Sequence, residues 1–208
     1  PVIVMTTRGR SGIGRWIYGS VAERVVRGAG VPVLLIRSGM KQPEGGTFRR
    51  IMVPLDGSAY AEAALSYAVQ IARAFDAELS LVRVAETTQI YAMLTPSAQA
   101  PASVETLNEV VAQLVADANA YLAKVGERLT GEGLRVRTQT LEGIAAEQLL
   151  AYEQEEDIDL IVMATHGRSG FSRLVFGSVA ERVLRLGKTP VMMVKPKGEI
   201  AESGDAGN

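Results

Sequence analysis

Residues 159–196 read DLIVMATHGRSGFSRLVFGSVAERVLRLGKTPVMMVKP. Leu160 to Ala164 and Val191 to Val194 are short apolar runs bounded by Gly and Pro, the pattern of strands covered on both faces. The residues between them predict a glycine-rich loop and an amphipathic helix opening at Ser178, which makes the whole a right-handed parallel crossover. Gly167 and Gly170 let the backbone come close to a ligand, and Gly177-Ser178 delivers the chain into the helix start. Ser178 and Glu181 stand at capping-box spacing. Unpaired amides and the positive end of the helix dipole then face the loop, a setting that favours a phosphate.

The same pattern occurs at residues 2–38, VIVMTTRGRSGIGRWIYGSVAERVVRGAGVPVLLIRS. Roughly two positions in three are identical over the strand, loop and helix start, which means duplicated units rather than chance. Gly9 matches Gly167, Gly19-Ser20 matches Gly177-Ser178, and Ser20 with Glu23 repeats the capping box. The second copy follows a long run of strand and helix pattern, whereas the first opens within its strand. Two parallel strands and one helix cannot cover both faces of a sheet. The first copy is therefore expected to lean on another part of the chain, on a second chain, or on residues outside these 208.

Composition removes several functions. An apolar fraction of 47% with 22% charged residues is that of a globular chain with a real core. A net charge of −1 argues against a nucleic-acid surface or a polybasic membrane surface. No apolar run approaches the length of a membrane span, and no basic region of a signal peptide precedes Pro1-Val2-Ile3. The absence of cysteine excludes disulfides and thiolate metal sites and fits a cytoplasmic location. With His166 the only histidine, one chain cannot assemble a His-based zinc site or catalytic triad.

Taken in order, residues 1–38 are a strand–loop–helix–strand unit with strands near Val2–Met5 and Val33–Ile36. Residues 39–49, with two adjacent glycines, a proline and scattered charge, have the composition of a linker. From Arg50, Ile51 to Pro54 predicts a strand, followed by a helix from about Ser58 to Phe75. Ala61, Leu65, Ala68, Ala72 and Phe75 form its apolar stripe. Glu78 to Val84 predicts a strand, and Ala85 to Ser103, with Pro96 and Pro101, a loop over the surface. Val104 to Leu129 is a long helical pattern with Leu107, Val111, Leu114, Ala118, Leu122, Val125 and Leu129 on one face, ended by Gly131 and Gly133. Leu134 to Leu141 alternates as a strand near a sheet edge does, and Gly143 to Glu155 is another helix. Residues 198–208, acidic and rich in small residues, read as a disordered tail.

Strands alternating with helices over residues 50–197 predict an α/β domain: a doubly wound, parallel, five-stranded sheet of order 3-2-1-4-5, preceded by the β-α-β fragment of a second copy. In such sheets a ligand sits beyond the strand C-termini where the winding reverses. PLDG after the first strand and ATHG after the fourth both lie at such ends, and their convergence makes one nucleotide-sized crevice.

VPLDGS at 53–58, LVRV at 81–84 and MATHGRSGFSRLVFGSVAERVL at 163–184, followed by TPVMMVKP, resemble the universal stress protein family over the whole of residues 50–197. The family signature G-x2-G-x9-G-[ST] runs here as Ala164-x2-Gly167-x9-Gly177-Ser178, with alanine for the first glycine. The first copy matches only the last third of a family domain, as in a tandem protein. The resemblance implies an adenine nucleotide, ATP or else ADP or AMP, with magnesium carried on its phosphates. It places Asp56 and the backbone of Val84 at the adenine and Met163 and Ala164 on the ribose side, with Pro54 also in the binding site. Gly167, Gly177, Ser178 and Val179 fall at the phosphates, with Arg168 as added positive charge. It further implies that Val33–Ile36 pairs antiparallel with Val191–Val194 inside the chain. That leaves the strand near Val2–Met5 with an open edge, from which a homodimer or larger assembly is expected. The first copy carries Thr6 at the first-glycine position and Arg8 in place of His166, and has no aspartate-bearing strand before it. One nucleotide per chain at most is therefore expected.

Other readings weigh less. There is no G-x4-G-K-[ST] for a P-loop and no G-x-S-x-G for a nucleophile elbow, and the G-x-G at Gly12 and Gly14 lacks its third glycine. His166 reads as a loop residue near the ligand, since no acid at a readable spacing orients it as a base. Asp56 as a mere turn or cap residue is the competing reading of that carboxylate. Met163, Met192 and Met193 read as core filling, and Trp16 as a packing residue. Three functions stay open: a nucleotide-binding regulatory protein, a nucleotide-free dimerisation or scaffold module, and a weak ATPase drawing on Asp56, Asp157 and Asp159.

Overall fold

The computed structural model describes residues 1–7, 19–92, 104–166 and 176–195. In chain order these form β1 (Ile3–Thr7), α1 (Gly19–Gly28), β2 (Val33–Arg37), a single 3-10 turn at Glu44–Gly46 and β3 (Arg50–Pro54). Then come α2 (Ala59–Glu62), α3 (Leu65–Phe75), β4 (Glu78–Ala85), α4 (Thr88–Ala92), α5 (Val104–Gly131), β5 (Arg135–Glu142), α6 (Ala145–Glu155), β6 (Leu160–Ala164), α7 (Ser178–Leu186) and β7 (Val191–Val194). All seven strands belong to one sheet of order β1-β2-β7-β6-β3-β4-β5. From β5 to β7 this is the expected 3-2-1-4-5 order, parallel throughout. The β-α-β fragment joins it by an antiparallel ladder between β2 and β7.

That ladder is a two-fold written into one chain. Leu34 faces Met192, Val33 faces Met193 and Leu35 faces Val191. Val33, Leu34 and Leu35 are the repeat equivalents of Val191, Met192 and Met193, so the register is self-complementary about the Leu34–Met192 pair, as an isologous interface requires. The flanking contacts obey the same symmetry. Arg37 donates to the carbonyls of Arg185 and Gly187, each at 2.6 Å, at the end of α7. Lys195, the equivalent of Arg37, donates to the carbonyl of Arg27, the equivalent of Arg185, at 3.1 Å. Each cation thus caps the carbonyl end of the other copy's helix, where the dipole is negative.

Side-chain alternation along the strands makes two cores. Ile51, Val53, Leu79, Leu81, Leu160 and Val162 point to α2, α3 and α5. Met52, Val82, Val84, Ile161 and Met163 point to α6 and α7, a layer that continues through Val33 and Leu35 to α1. The residues joining the copies are tied down. Lys41 donates its amide to the Lys188 carbonyl at 2.7 Å and its ammonium to Asp157 at 2.7 Å and Asp159 at 3.1 Å. The other oxygen of Asp159 accepts from the amides of Arg49 and Arg50. Burial alone would lower the Lys41 pKa, but hydrogen bonds and charge from the two aspartates raise it, and the same pairing lowers that of Asp157.

Several local expectations are corrected. The helix expected over 58–75 is broken in two at Ala63 and Ala64, where backbone bonds tighten to i−3 acceptors. Phe75 lies at its rim, 39% exposed and edge-on to Phe48 at 5.3 Å, and Leu114 in α5 is 38% exposed, so both leave the buried stripes. The span 85–103 is not all loop, since it holds α4, and β1 runs later than expected, to Thr7. The capping box at Ser178 does not form. Gly177, in extended conformation, is the N-cap, and no side chain caps the helix. Residues 8–18, 93–103, 167–175 and 196–208, with Trp16, the glycines of both GRSG segments and the expected tail, lie outside the described residues.

Candidate functional site

The sheet reverses its winding at β3, whose neighbours β4 and β6 are reached in opposite directions. At that point the C-terminal ends of β3, β4 and β6 and the start of α7 surround a cavity of about 270 Å³, close to the lower size for a small-molecule pocket. Eight of the residues marked from the sequence line it together: Pro54, Asp56, Val84, Met163, Ala164, Gly177, Ser178 and Val179. Gly167 and Arg168 lie outside the described residues.

One wall carries a carboxylate held by its own turn. Oδ1 of Asp56 accepts from the Ser58 amide at 2.9 Å and from its hydroxyl at 2.6 Å, and Ser58 in turn accepts from the Ala61 amide to start α2. The turn needs Gly57, whose φ is +86° and whose missing Cβ would stand 3.2 Å from Arg83 Nη1. Asp56 is therefore both a turn residue and a pocket residue; the two readings of the sequence were not exclusive. Behind it, Arg83 stacks over Tyr121 at 4.9 Å, and Tyr121 donates to Glu62 at 2.9 Å. Burial first, and then Glu62, pushes the Tyr121 hydroxyl well above the ordinary tyrosine range, so it stays a donor at any working pH.

The opposite wall is a helix start. The Gly177 amide donates to the Thr165 carbonyl at 2.8 Å, which ties α7 to the end of β6, and the Gly177 carbonyl accepts from Glu181. Among the described residues the amides of Ser178, Val179 and Ala180 meet no acceptor. With no side chain capping the helix, the first amides of α7 belong to Ser178, Val179 and Ala180, residues that line the cavity. Thr165 and His166, both buried, complete this wall, with His166 Nδ1 3.2 Å from Thr165 Oγ1.

Sequence reasoning missed Glu86, Thr165 and the apolar floor of Val82, Ala145 and Leu149. The signals were present. Val82, Val84 and Glu86 follow the two-residue alternation of a strand, and Ala145 and Leu149 share a helix face at i, i+4. Among the described residues no group of three or more His, Asp or Glu side chains could hold a metal ion, and no helix is long and apolar enough to cross a membrane.

The model of the universal stress protein family matches residues 2–37 and 47–195. The chain belongs to that family. Universal stress protein MJ0531 of Methanocaldococcus jannaschii is 33% identical over 153 residues, covering 73% of this chain and 85% of the relative. Universal stress protein Slr1230 of Synechocystis is 26% identical over 192 residues, covering 92% of this chain but 56% of the relative. Among solved structures, MJ0577 of M. jannaschii aligns with a TM-score of 0.64 at 26% identity over 73% of this chain and 99% of that one. A universal stress protein from Archaeoglobus fulgidus gives 0.65 at 24% identity over 93% of this chain and 60% of that one, a likeness of fold.

Proposed function

We propose that this universal stress protein binds one adenine nucleotide in the β3–β6 crevice and works as a nucleotide-responsive regulatory protein. The observation that carries the reading is the polarity of the cavity: a fixed carboxylate at one end and, at the other, a helix start whose first three amides meet no acceptor among the described residues. Asp56 and Glu86 repel phosphate and accept from an exocyclic amine, whereas the start of α7 attracts phosphate. A ligand with a base at one end and a phosphate at the other then has one favourable direction in the pocket. Adenine lies against Pro54, Asp56 and Val84, the ribose against Met163 and Ala164, and the phosphates reach Gly177, Ser178 and Val179. Gly167 and Arg168 belong to the same set by family resemblance. Magnesium would come with the phosphates.

The nucleotide-free scaffold reading draws on Ala164, whose methyl stands where the family signature has glycine. Co-purified nucleotide, released by denaturation and identified by chromatography, separates the two. So does titration calorimetry with ATP, ADP and AMP, each with and without magnesium. One equivalent per chain supports binding, and no heat with any of the three overturns it. Steady-state phosphate release at or below the uncatalysed rate, with ATP bound, supports regulation over turnover.

A further inference from the structure

The β4 side chains that face α3 and α5 include one out of character. Leu79 and Leu81 in that row have no exposed surface and Ala85 is buried, yet the position between Leu81 and Ala85 is Arg83. It lies on the face of β4 opposite to Val82 and Val84, which line the cavity. A guanidinium in such a row costs desolvation unless its surroundings take it up. Two contacts do so. Arg83 Cζ stands 4.9 Å from the centre of the Tyr121 ring of α5. Its Nη1, Cζ and Nη2 come within 3.2, 3.4 and 3.4 Å of the point where Gly57 would carry a Cβ, so the guanidinium is laid against the backbone of the Asp56 turn. Tyr121 in turn donates to Glu62 at 2.9 Å, at the far end of α2.

These contacts close a ring around the segment that carries Asp56. α2 is a single turn of 4 residues, too short to hold itself, and the break at Ala63 and Ala64 separates it from α3. Ser58 fixes the Asp56 carboxylate relative to the turn, but not the turn relative to the sheet. Arg83 supplies that second fix at Gly57, and Tyr121 supplies a third at Glu62, both from elements anchored in the core. A rotation about Gly57, at φ +86°, would swing the carboxylate out of the crevice. We propose that Arg83, backed by Tyr121, is a positioning residue for the adenine end of the crevice, holding the Gly57 turn so that Asp56 meets the exocyclic amine. The proposal rests on the adenine-nucleotide reading above. Neither Arg83 nor Tyr121 lines the cavity, so their effect passes through Asp56. It therefore falls on recognition of the base and spares the phosphates, which lie at the start of α7 on the opposite wall.

The test pairs a substitution with a change in the ligand. Arg83→Met keeps the length of the side chain and loses its plane and charge, while Arg83→Lys keeps the charge alone. Each is titrated calorimetrically with ATP and with purine riboside triphosphate, which lacks only the 6-amino group. Arg83→Met should weaken ATP by at least about tenfold and the analogue by less than about twofold, because the analogue has no amine for Asp56 to accept from. Arg83→Lys should fall between wild type and Arg83→Met. Equal weakening of both ligands, as a general loss of structure would give, overturns the proposal, and so does unchanged ATP binding. Should Arg83→Met not fold by circular dichroism, Arg83→Lys and Tyr121→Phe are read by the same rule, with about threefold expected on ATP. If the wild-type chain binds neither ligand, the nucleotide reading fails, and amide exchange in the free protein decides the positioning role. Arg83→Met should then speed exchange of the Ser58 and Ala61 amides by at least about tenfold and leave that of Val162 unchanged. Unchanged rates at Ser58 and Ala61, or an equal rise at Val162, overturn it.

Discussion

Leu160 and Val2 occupy the same place in two copies of one motif, yet the first has no exposed surface and the second keeps nearly half of its own. The difference teaches that this motif fixes how its strands and helix pack on each other and on the two-fold axis, and nothing beyond that. Under the proposed function the copies differ as well. Only the second has Asp56 facing it across a crevice, because only the second has β3 beside it.

The largest expected effect tests that functional split. Gly177→Glu puts a charge among the amides of α7 and should weaken nucleotide binding by at least about 100-fold, close to 3 kcal/mol. Gly19→Glu, at the equivalent position, should leave the titration unchanged. If both substitutions weaken binding equally, the one-site reading fails. Next comes the packing contrast. Leu160→Ala should lower unfolding stability by about 2–5 kcal/mol, while Val2→Ala stays within about 0.5 kcal/mol in urea melts of the 208-residue chain. Similar losses would mean that β1 is covered in solution.

The two-fold itself is sharpened by its caps. Arg37 makes two short bonds to the end of α7 and Lys195 one longer bond to the end of α1. Arg37→Ala should therefore cost about 1–2 kcal/mol and Lys195→Ala no more than about 0.5, read from the same melts. Equal costs would make the two ends energetically symmetric despite their different chemistry.

The smallest effect concerns the residues that join the copies. Asp157 is held below its ordinary 3.8 by Lys41, so its contribution is complete above about that pH and is lost as pH falls through the lowered value. Lys41 is raised above its ordinary 10.5, so its share is complete below that pH and is lost as pH rises through the raised value. Asp157→Asn should flatten the acid limb of melting temperature against pH without strain, because asparagine tolerates the left-handed φ of +53° at that position. An unchanged acid limb would show that the pair contributes nothing, as many exposed pairs do.

Much of this was legible from the residues. Period-two and helical patterns located the strands and the main helices, and the alternation of strand and helix indicated a doubly wound parallel sheet without by itself fixing the strand order. Pro54, Asp56, Val84, Met163, Ala164 and the Gly177–Val179 segment were marked by motif and meet at one cavity. Glu86, Thr165 and Leu149 were not, because a pocket wall gathers side chains from elements far apart in the chain and no local pattern announces which ends will converge. The capping box misled for a related reason. Its spacing is correct at Ser178, but the tie from Gly177 to Thr165 sets the N-cap one residue earlier.

The sequence by itself determined the duplicated motif, the parallel crossovers and the chemistry available at the strand ends, since these depend on periodicity and on glycine placement over short distances. Tertiary structure alone decided that Asp56 and the start of α7 line one cavity, that no side chain caps that helix among the described residues, and that Leu160 is buried while its repeat equivalent Val2 is exposed. Burial is a property of neighbours, and identical residues acquire it only where the rest of the chain brings a strand and a helix to cover them.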